Sequence, residues 1–457
     1  MSEKPTMNRR QYVNLSLGLL AVNPVIDNGV DGVQNKSSSG DEPLNWSAIY
    51  NDSANTGELS PQAGLTETPD VRWQRTVGDS VGAASFMIVH EGVAVLAPYS
   101  GGRLTAVDRA DGETVWSKDV NVRNPMAAAG DKLFAAFGEN DTVGAFSLAD
   151  GSILWDAEVG SYTGGVSVGG DSVFQQGTEA VRAFDTDSGD LLWSVREDRR
   201  ASGGVNGIAP AYHDGFVYAP AANYQTLLAL NAETGETVWE TEELPNGNYN
   251  RLHTPVIVND VVLMQDGDTL YCIEQSTGER RWVYSSGRGK TNPVTDGEEI
   301  YISDSQEGIL NLDFDTGDAT VLVEGRGGAP LTVGADNIYY NDEFALFAYD
   351  KQSGEEVWSL EKEGRTGTAF DESPLIVLDG SAFYYDDGQF TKLSTGTGSS
   401  ATTSTPADSV PSTAVTTEPS TRPTDASGPG YGAGTALFTA VGSLFVGNWL
   451  RMRHKSR

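Results

Sequence analysis

Basic side chains are scarce in this 457-residue chain, with 30 Lys and Arg against 64 Asp and Glu. Several nevertheless recur at one place in a repeating pattern. Arg123, Arg199, Arg200, Arg251, Lys290, Arg326 and Arg365 each follow a short apolar run, with Asn124, Asn206, His253 and Asn292 in the same stretches. Guanidinium groups present a planar fork of donors, which suits carboxylate or phosphate. Pairing with the abundant Asp and Glu explains the same residues without any ligand, because exposed ion pairs form readily and discriminate little. Other chemistry is sparser. His90, His213, His253 and His454 show no metal-ligand spacing. Asp185 to Asp190, DTDSGD, opens like a calcium loop, but Arg196 stands where such a loop needs its closing Glu. Turn chemistry accounts for it better. A single cysteine, Cys272, excludes an intramolecular disulfide and reads as a packed side chain.

The elements that position these residues follow from a repeat. LLALNAETGETVW, Leu227 to Trp239, returns in edited form ending at Trp116, Trp155, Trp193, Trp282 and Trp358. A weaker copy ends at Val321, where Val replaces the Trp. The turn glycines Gly112, Gly151, Gly189, Gly235, Gly278, Gly317 and Gly354 are spaced by the length of one four-stranded blade. Each copy alternates apolar and polar residues into a Gly-containing turn, the pattern of a β-hairpin, and another strand pair precedes it. After Trp358 a last strand set runs to Leu393 without a Trp strand, whereas Asp70 to Gly78 is a Trp strand, around Trp73, with nothing before it. Pairing the two predicts an all-β ring of eight four-stranded antiparallel blades, closed by an N-terminal strand, with only short protected edges.

The fullest copy, with Ala229, Asn231, Thr234, Gly235 and Trp239, resembles the repeat of pyrroloquinoline-quinone-type eight-bladed propellers. The resemblance covers roughly Val71 to Gly396. It implies that Trp73, Trp116, Trp155, Trp193, Trp239, Trp282 and Trp358 dock on the Ala and Gly of the motif and join the blades. The Ala becomes Cys272 and Asn311 in two copies. It also implies that the links holding Arg123, Arg251, His253, Lys290, Asn292, Arg326 and Arg365 lead from an outer strand to the central channel, so an electropositive funnel for an anionic ligand or an acidic partner segment is one expectation. Quinoprotein dehydrogenases of this fold hold their cofactor with calcium, an adjacent cysteine pair and an Asp base. This chain has no such pair and short loops, and is closer to non-catalytic members such as the propeller lipoprotein of the bacterial outer-membrane assembly machine. No cofactor is expected; pyrroloquinoline quinone with calcium is the alternative.

Composition bounds the rest. A formal charge of −34 and a pI near 4.3 argue against nucleic acid as a partner. Acidity spread over a folded chain resembles surface proteins of halophilic archaea. Residues 1–27, with Arg9 and Arg10 before an apolar run, resemble a twin-arginine export signal. Residues 28–43 are a polar linker and 44–396 the propeller, with WSAIYNDSANTG at its start like the segment that often precedes the first blade of this family. Residues 397–428 are a Thr/Ser/Pro-rich stalk. Within 429–457, Gly432 to Leu450 is apolar, about long enough to cross a bilayer core, and is followed by Arg451, Arg453, Lys455 and Arg457. Pro429-Gly430-Tyr431 resembles a Pro-Gly-Phe archaeal sorting tail. The expected molecule is a monomeric ring outside the membrane, anchored through its C-terminus, binding cell-envelope proteins or an anionic ligand; an extracellular sensor or solute-binding module is a further alternative.

Overall fold

The structure is a computed structural model. It describes residues 47–48, 51–57, 64–77, 85–98, 103–122, 125–138, 142–160, 163–196, 208–221, 226–244, 253–285, 291–342, 344–362, 375–386 and 388–395. The export signal, polar linker, stalk and anchor read from the sequence lie outside these residues, in whole.

Strands in the described chain form eight four-stranded antiparallel sheets. In seven of them the strands follow sequence order from the channel outward, blade 1 running from Ser85–His90 to Thr114–Lys118 and blade 7 from Leu331–Val333 to Glu356–Glu361. Blade 8 takes three inner strands from the end of the ring, Ile376–Leu378, Ser381–Asp386 and Gln389–Ser394, and its outermost from the beginning, Asp70–Thr76. There Asp70 faces Ser394 and Thr76 faces Gln389, which is the closure the sequence predicts.

Burial follows position in the ring. The second strand Val261–Asp266 is buried at every residue, because a neighbouring blade covers each face. Outermost strands bury little beyond their Trp, as in Thr114–Lys118. The apolar clusters accordingly sit between blades: one joins Phe174 and Trp193 of blade 3 to Val217 and Leu230 of blade 4.

The motif residues make these seams. Ala229 faces Trp239 within its own blade, but the glycine under that indole belongs to the next one. A Cβ on Gly278 would lie 2.7 Å from Trp239, and one on Gly151 2.6 Å from Trp116. Each indole N–H donates to a carbonyl of that next turn, Trp116 to Leu148 at 2.7 Å and Trp193 to Ala232 at 2.8 Å. The turns hold themselves: Asn231 Oδ1 accepts the Glu233 and Thr234 N–H groups, and Asp185 Oδ1 those of Asp187 and Ser188, so DTDSGD is a turn. Cys272 leaves its seam intact, since Trp282 is 8 % exposed and donates to Phe314 O at 2.9 Å.

Blade 6 corrects the sequence reading. Val321 does not take the place of the missing Trp; it is 48 % exposed. In the other blades a β-bulge falls between the motif Ala and its successor, as at Ala106/Val107. In blade 6 it falls two residues earlier on the same strand, between Ile309 and Leu310, so Asn311, at the motif Ala position, faces Thr320, one residue short of Val321. A one-residue shift exchanges the faces of a strand. Leu322 therefore turns inward, packs on the neighbouring core and places its carbonyl 2.1 Å from where a Gly354 Cβ would sit.

Candidate interaction faces

Chain direction gives the ring two faces. On the turn face lie the tight turns from first to second and from third to fourth strands; on the link face lie the loops from second to third strands and the links between blades. Each innermost strand is an edge whose outward N–H groups need acceptors. Residues 47–48 and 51–57 supply them in five blades. Ser47 O accepts from Ala128 at 2.8 Å, Ser53 O from Tyr212 at 2.7 Å, Ala54 O from Ile257 at 2.8 Å, Thr56 O from Thr295 at 3.0 Å and Gly57 O from Val333 at 3.4 Å. One short belt thus touches blades 2, 4, 5, 6 and 7 in turn.

Its sequence permits the close approach. A Cβ on Gly57 would meet Val294 at 2.7 Å, and its φ of +70° is one that glycine adopts freely. Asn51 and Asn55 hold left-handed φ values of 76° and 62°, which Asn tolerates better than most residues. Asp52 braces the turn by accepting from the Thr56 N–H and hydroxyl at 3.1 and 2.7 Å, and Asn55 donates to Pro255 O at 3.1 Å. His90, 5 % exposed, fastens the start of the belt: Nε2 donates to Gly130 O at 3.0 Å, so Nδ1 accepts the Ser47 hydroxyl at 2.7 Å. Burial pushes the imidazole below its ordinary value, against the Gly130 bond and the Glu91 charge. Further along, Leu65 O accepts the Trp358 indole at 2.9 Å, standing in for the turn that blade 8 lacks.

Arg123, Arg251, Lys290 and Arg365, with Arg199, Arg200, Asn124 and Asn206, lie outside the described residues. The other three are placed. The backbone N–H of His253 donates to Gln265 O at 3.2 Å. Asn292, 3 % exposed, donates to Thr254 O at 3.2 Å, and the Thr254 hydroxyl accepts from Ala209 N at 3.2 Å. His253 and Asn292 are thereby brought to neighbouring blade entrances. Arg326 stands apart from them, paired with Asp342 at 3.0 Å and stacked over Phe347 at 4.1 Å.

Asp342 is a junction that the spacing of basic residues did not reveal. Its carbonyl accepts Lys362 Nζ at 2.6 Å, and that ammonium lies 3.3 Å from Asp386, with both side chains under a tenth exposed. A pair this buried holds only while both charges are present. Beside it Phe344 is 57 % exposed, its N–H donating to Asp342 Oδ1 at 2.8 Å. Lys362 follows Trp358 as the other basic residues follow theirs, and that spacing was the signal available for it.

These residues fit a quinone and calcium poorly. The lone Cys272 lies in a seam, fully buried, its thiol pushed up to about 12 by burial. Among the described residues no three His, Cys, Asp or Glu side chains are grouped to hold a metal.

The family described as outer membrane protein assembly factor BamB matches residues 63–168 and 139–360. BamB of Moranella endobia is 27% identical over 241 residues, 50% of this chain and 51% of that protein. The chain thus spans about half the length of that relative. BamB of Yersinia pestis is 22% identical over 301 residues, 60% of this chain and 76% of its own. Among solved structures, quinohemoprotein alcohol dehydrogenase of Pseudomonas putida HK5 superposes with a TM-score of 0.56 at 13% identity, covering 81% of this chain and 83% of that one. At such identity the likeness is one of fold alone.

Proposed function

We propose, since the chain belongs to the family of outer membrane protein assembly factor BamB, that it is a non-catalytic scaffold at the cell surface whose ring binds other cell-envelope proteins. The observation that carries the reading is the belt: on the turn side, the chain's own residues 47–48 and 51–57 cover the inner edges of five blades, to which they are hydrogen-bonded. Two placed cations of the link face are already paired, Arg326 with Asp342 and Lys362 with Asp386. What remains there is a surface for contact, with Phe344 exposed and the Arg326 side chain 40% accessible. An acidic partner segment or anionic ligand would draw on the basic residues of the links, Arg123, Arg251, Lys290 and Arg365, since Arg326 is taken by Asp342 and Asn292 is buried. Attachment through Gly432 to Leu450, or through a lipid exchanged at Pro429-Gly430-Tyr431, and the overall acidity fit an exported protein of a halophilic archaeal surface.

Two measurements test this. Titrating the full chain in high salt with pyrroloquinoline quinone and calcium is expected to give no saturable absorbance change; saturable binding would establish the quinoprotein alternative instead. A photo-reactive residue at Phe344 is expected to crosslink exported or membrane proteins in cells. Crosslinks to cytoplasmic proteins alone, or none, would overturn the scaffold.

A further inference from the structure

The bulge that sets each Trp inward leaves the residue before it pointing out. In blades 1 to 4 that residue is Val115, Leu154, Leu192 and Val238, exposed by 44, 47, 49 and 50 %. Blades 2 and 3 add Ile153 and Leu191, exposed by 40 and 56 %. The seams bring these residues into one stripe. Trp116 lies on Gly151, two residues before Ile153, and Trp155 lies on Gly189, two before Leu191. Trp193 in turn lies on Gly235, three before Val238. On blades 5 and 8 the same position is basic instead, Arg281 held by Glu274 and Asp260 and Arg72 donating to Ser394 O. Blade 7 has an apolar residue there too, Val357, 41 % exposed, but the basic positions of blades 5 and 8 bound the continuous run on blades 1 to 4.

Its border is acidic. Exposed carboxylates of the adjoining turns, Asp111, Asp150, Asp187, Asp190, Glu233 and Glu236, run along its turn-face side. Contiguous exposed apolar surface rimmed by charge marks a contact site more often than scattered single residues do. The bulges disfavour addition of a strand to this edge, so recognition falls to side chains. We infer that the rim of blades 1 to 4 docks a basic amphipathic segment of another protein, its apolar face on Leu154 and Leu192 and its Lys or Arg residues against the bordering carboxylates. An anionic lipid surface is disfavoured by the same carboxylates. This rests on the scaffold reading and gives one partner's chemistry.

The probe is a synthetic Lys/Leu peptide with its leucines on one helical face, titrated by fluorescence anisotropy into the full chain near physiological ionic strength, where charges act over about 8 Å. Binding is expected to weaken at least tenfold in Leu154→Ser/Leu192→Ser and to stay unchanged in Val283→Ser/Val357→Ser, with thermal melts of both matching the parent. A Glu/Leu counterpart and anionic phosphatidylglycerol vesicles are expected not to bind. Equal affinity in the two double variants, equal binding of the Glu/Leu peptide, vesicle binding lost with Leu154 and Leu192, or a self-association that those changes abolish would each overturn the rim site. If Phe344 still crosslinks envelope proteins while the rim fails, the scaffold stands and only this inference falls.

Discussion

Replacing Gly189 with alanine would place a Cβ 2.5 Å from the Trp155 indole, at a φ of +74°. Gly170 in the same blade has a φ of +58° but nothing within 4 Å. Both substitutions meet the left-handed backbone penalty of about 1–2 kcal/mol; only the first also forces a packed ring aside, at about 1–3 kcal/mol more. Urea denaturation of the two variants should therefore separate them by roughly 2 kcal/mol, and equal losses would mean that the indole yields. The Trp and Gly pairs were legible because one physical need recurs in most blades at one spacing. Leu322 was not, since where a bulge falls depends on strand register, and the repeat aligned Val321 with the tryptophans regardless.

At the scale of elements, the belt and the blade strands differ in how far the sequence announces them. Strands advertise themselves through alternation within a few residues. The belt's partners stand far away in the chain, Asn55 meeting Pro255 and Leu65 meeting Trp358, and no local pattern encodes that. His90 shows the difference, a histidine without metal spacing that holds the belt's first residue. In the ring burial holds its imidazole below the ordinary value, so it takes up a proton only at lower pH than in the unfolded chain, where it does so near pH 6.5. Stability supplied by His90 is thus complete above pH 6.5 and is lost as pH falls from there through the lower value of the folded ring. The loss is about 1.4 kcal/mol for each unit of depression. Denaturant midpoints at pH 7 and pH 5 should fall further in the parent than in His90→Gln. Parallel falls would show that the Ser47 contact survives protonation.

Over the whole molecule, each of the eight first-to-second turns carries a carboxylate, from Glu91 and Asp131 round to Asp336 and Asp379. With the third-to-fourth turns adding Asp111, Asp187, Asp315 and others, the turn face gathers much of the −34 formal charge. Like charges at this density oppose the compact state, and salt shortens their reach from about 10 Å at 0.1 M to about 3 Å at 1 M. The melting temperature should rise between these concentrations of sodium chloride, and replacing turn Asp residues such as Asp171 and Asp336 with Asn should shrink the rise; a salt-independent melt would contradict it. The eight-blade count was legible from the unmatched strands at either end of the ring, yet closure by Asp70–Thr76 also sets a schedule. That N-terminal strand has no partner until Gln389–Ser394 is made, roughly a quarter to one minute after Thr76 at common rates of synthesis. Trp73, destined to cover Gly112, must wait through that interval, so the nascent chain stays an open arc until its last blade strand emerges.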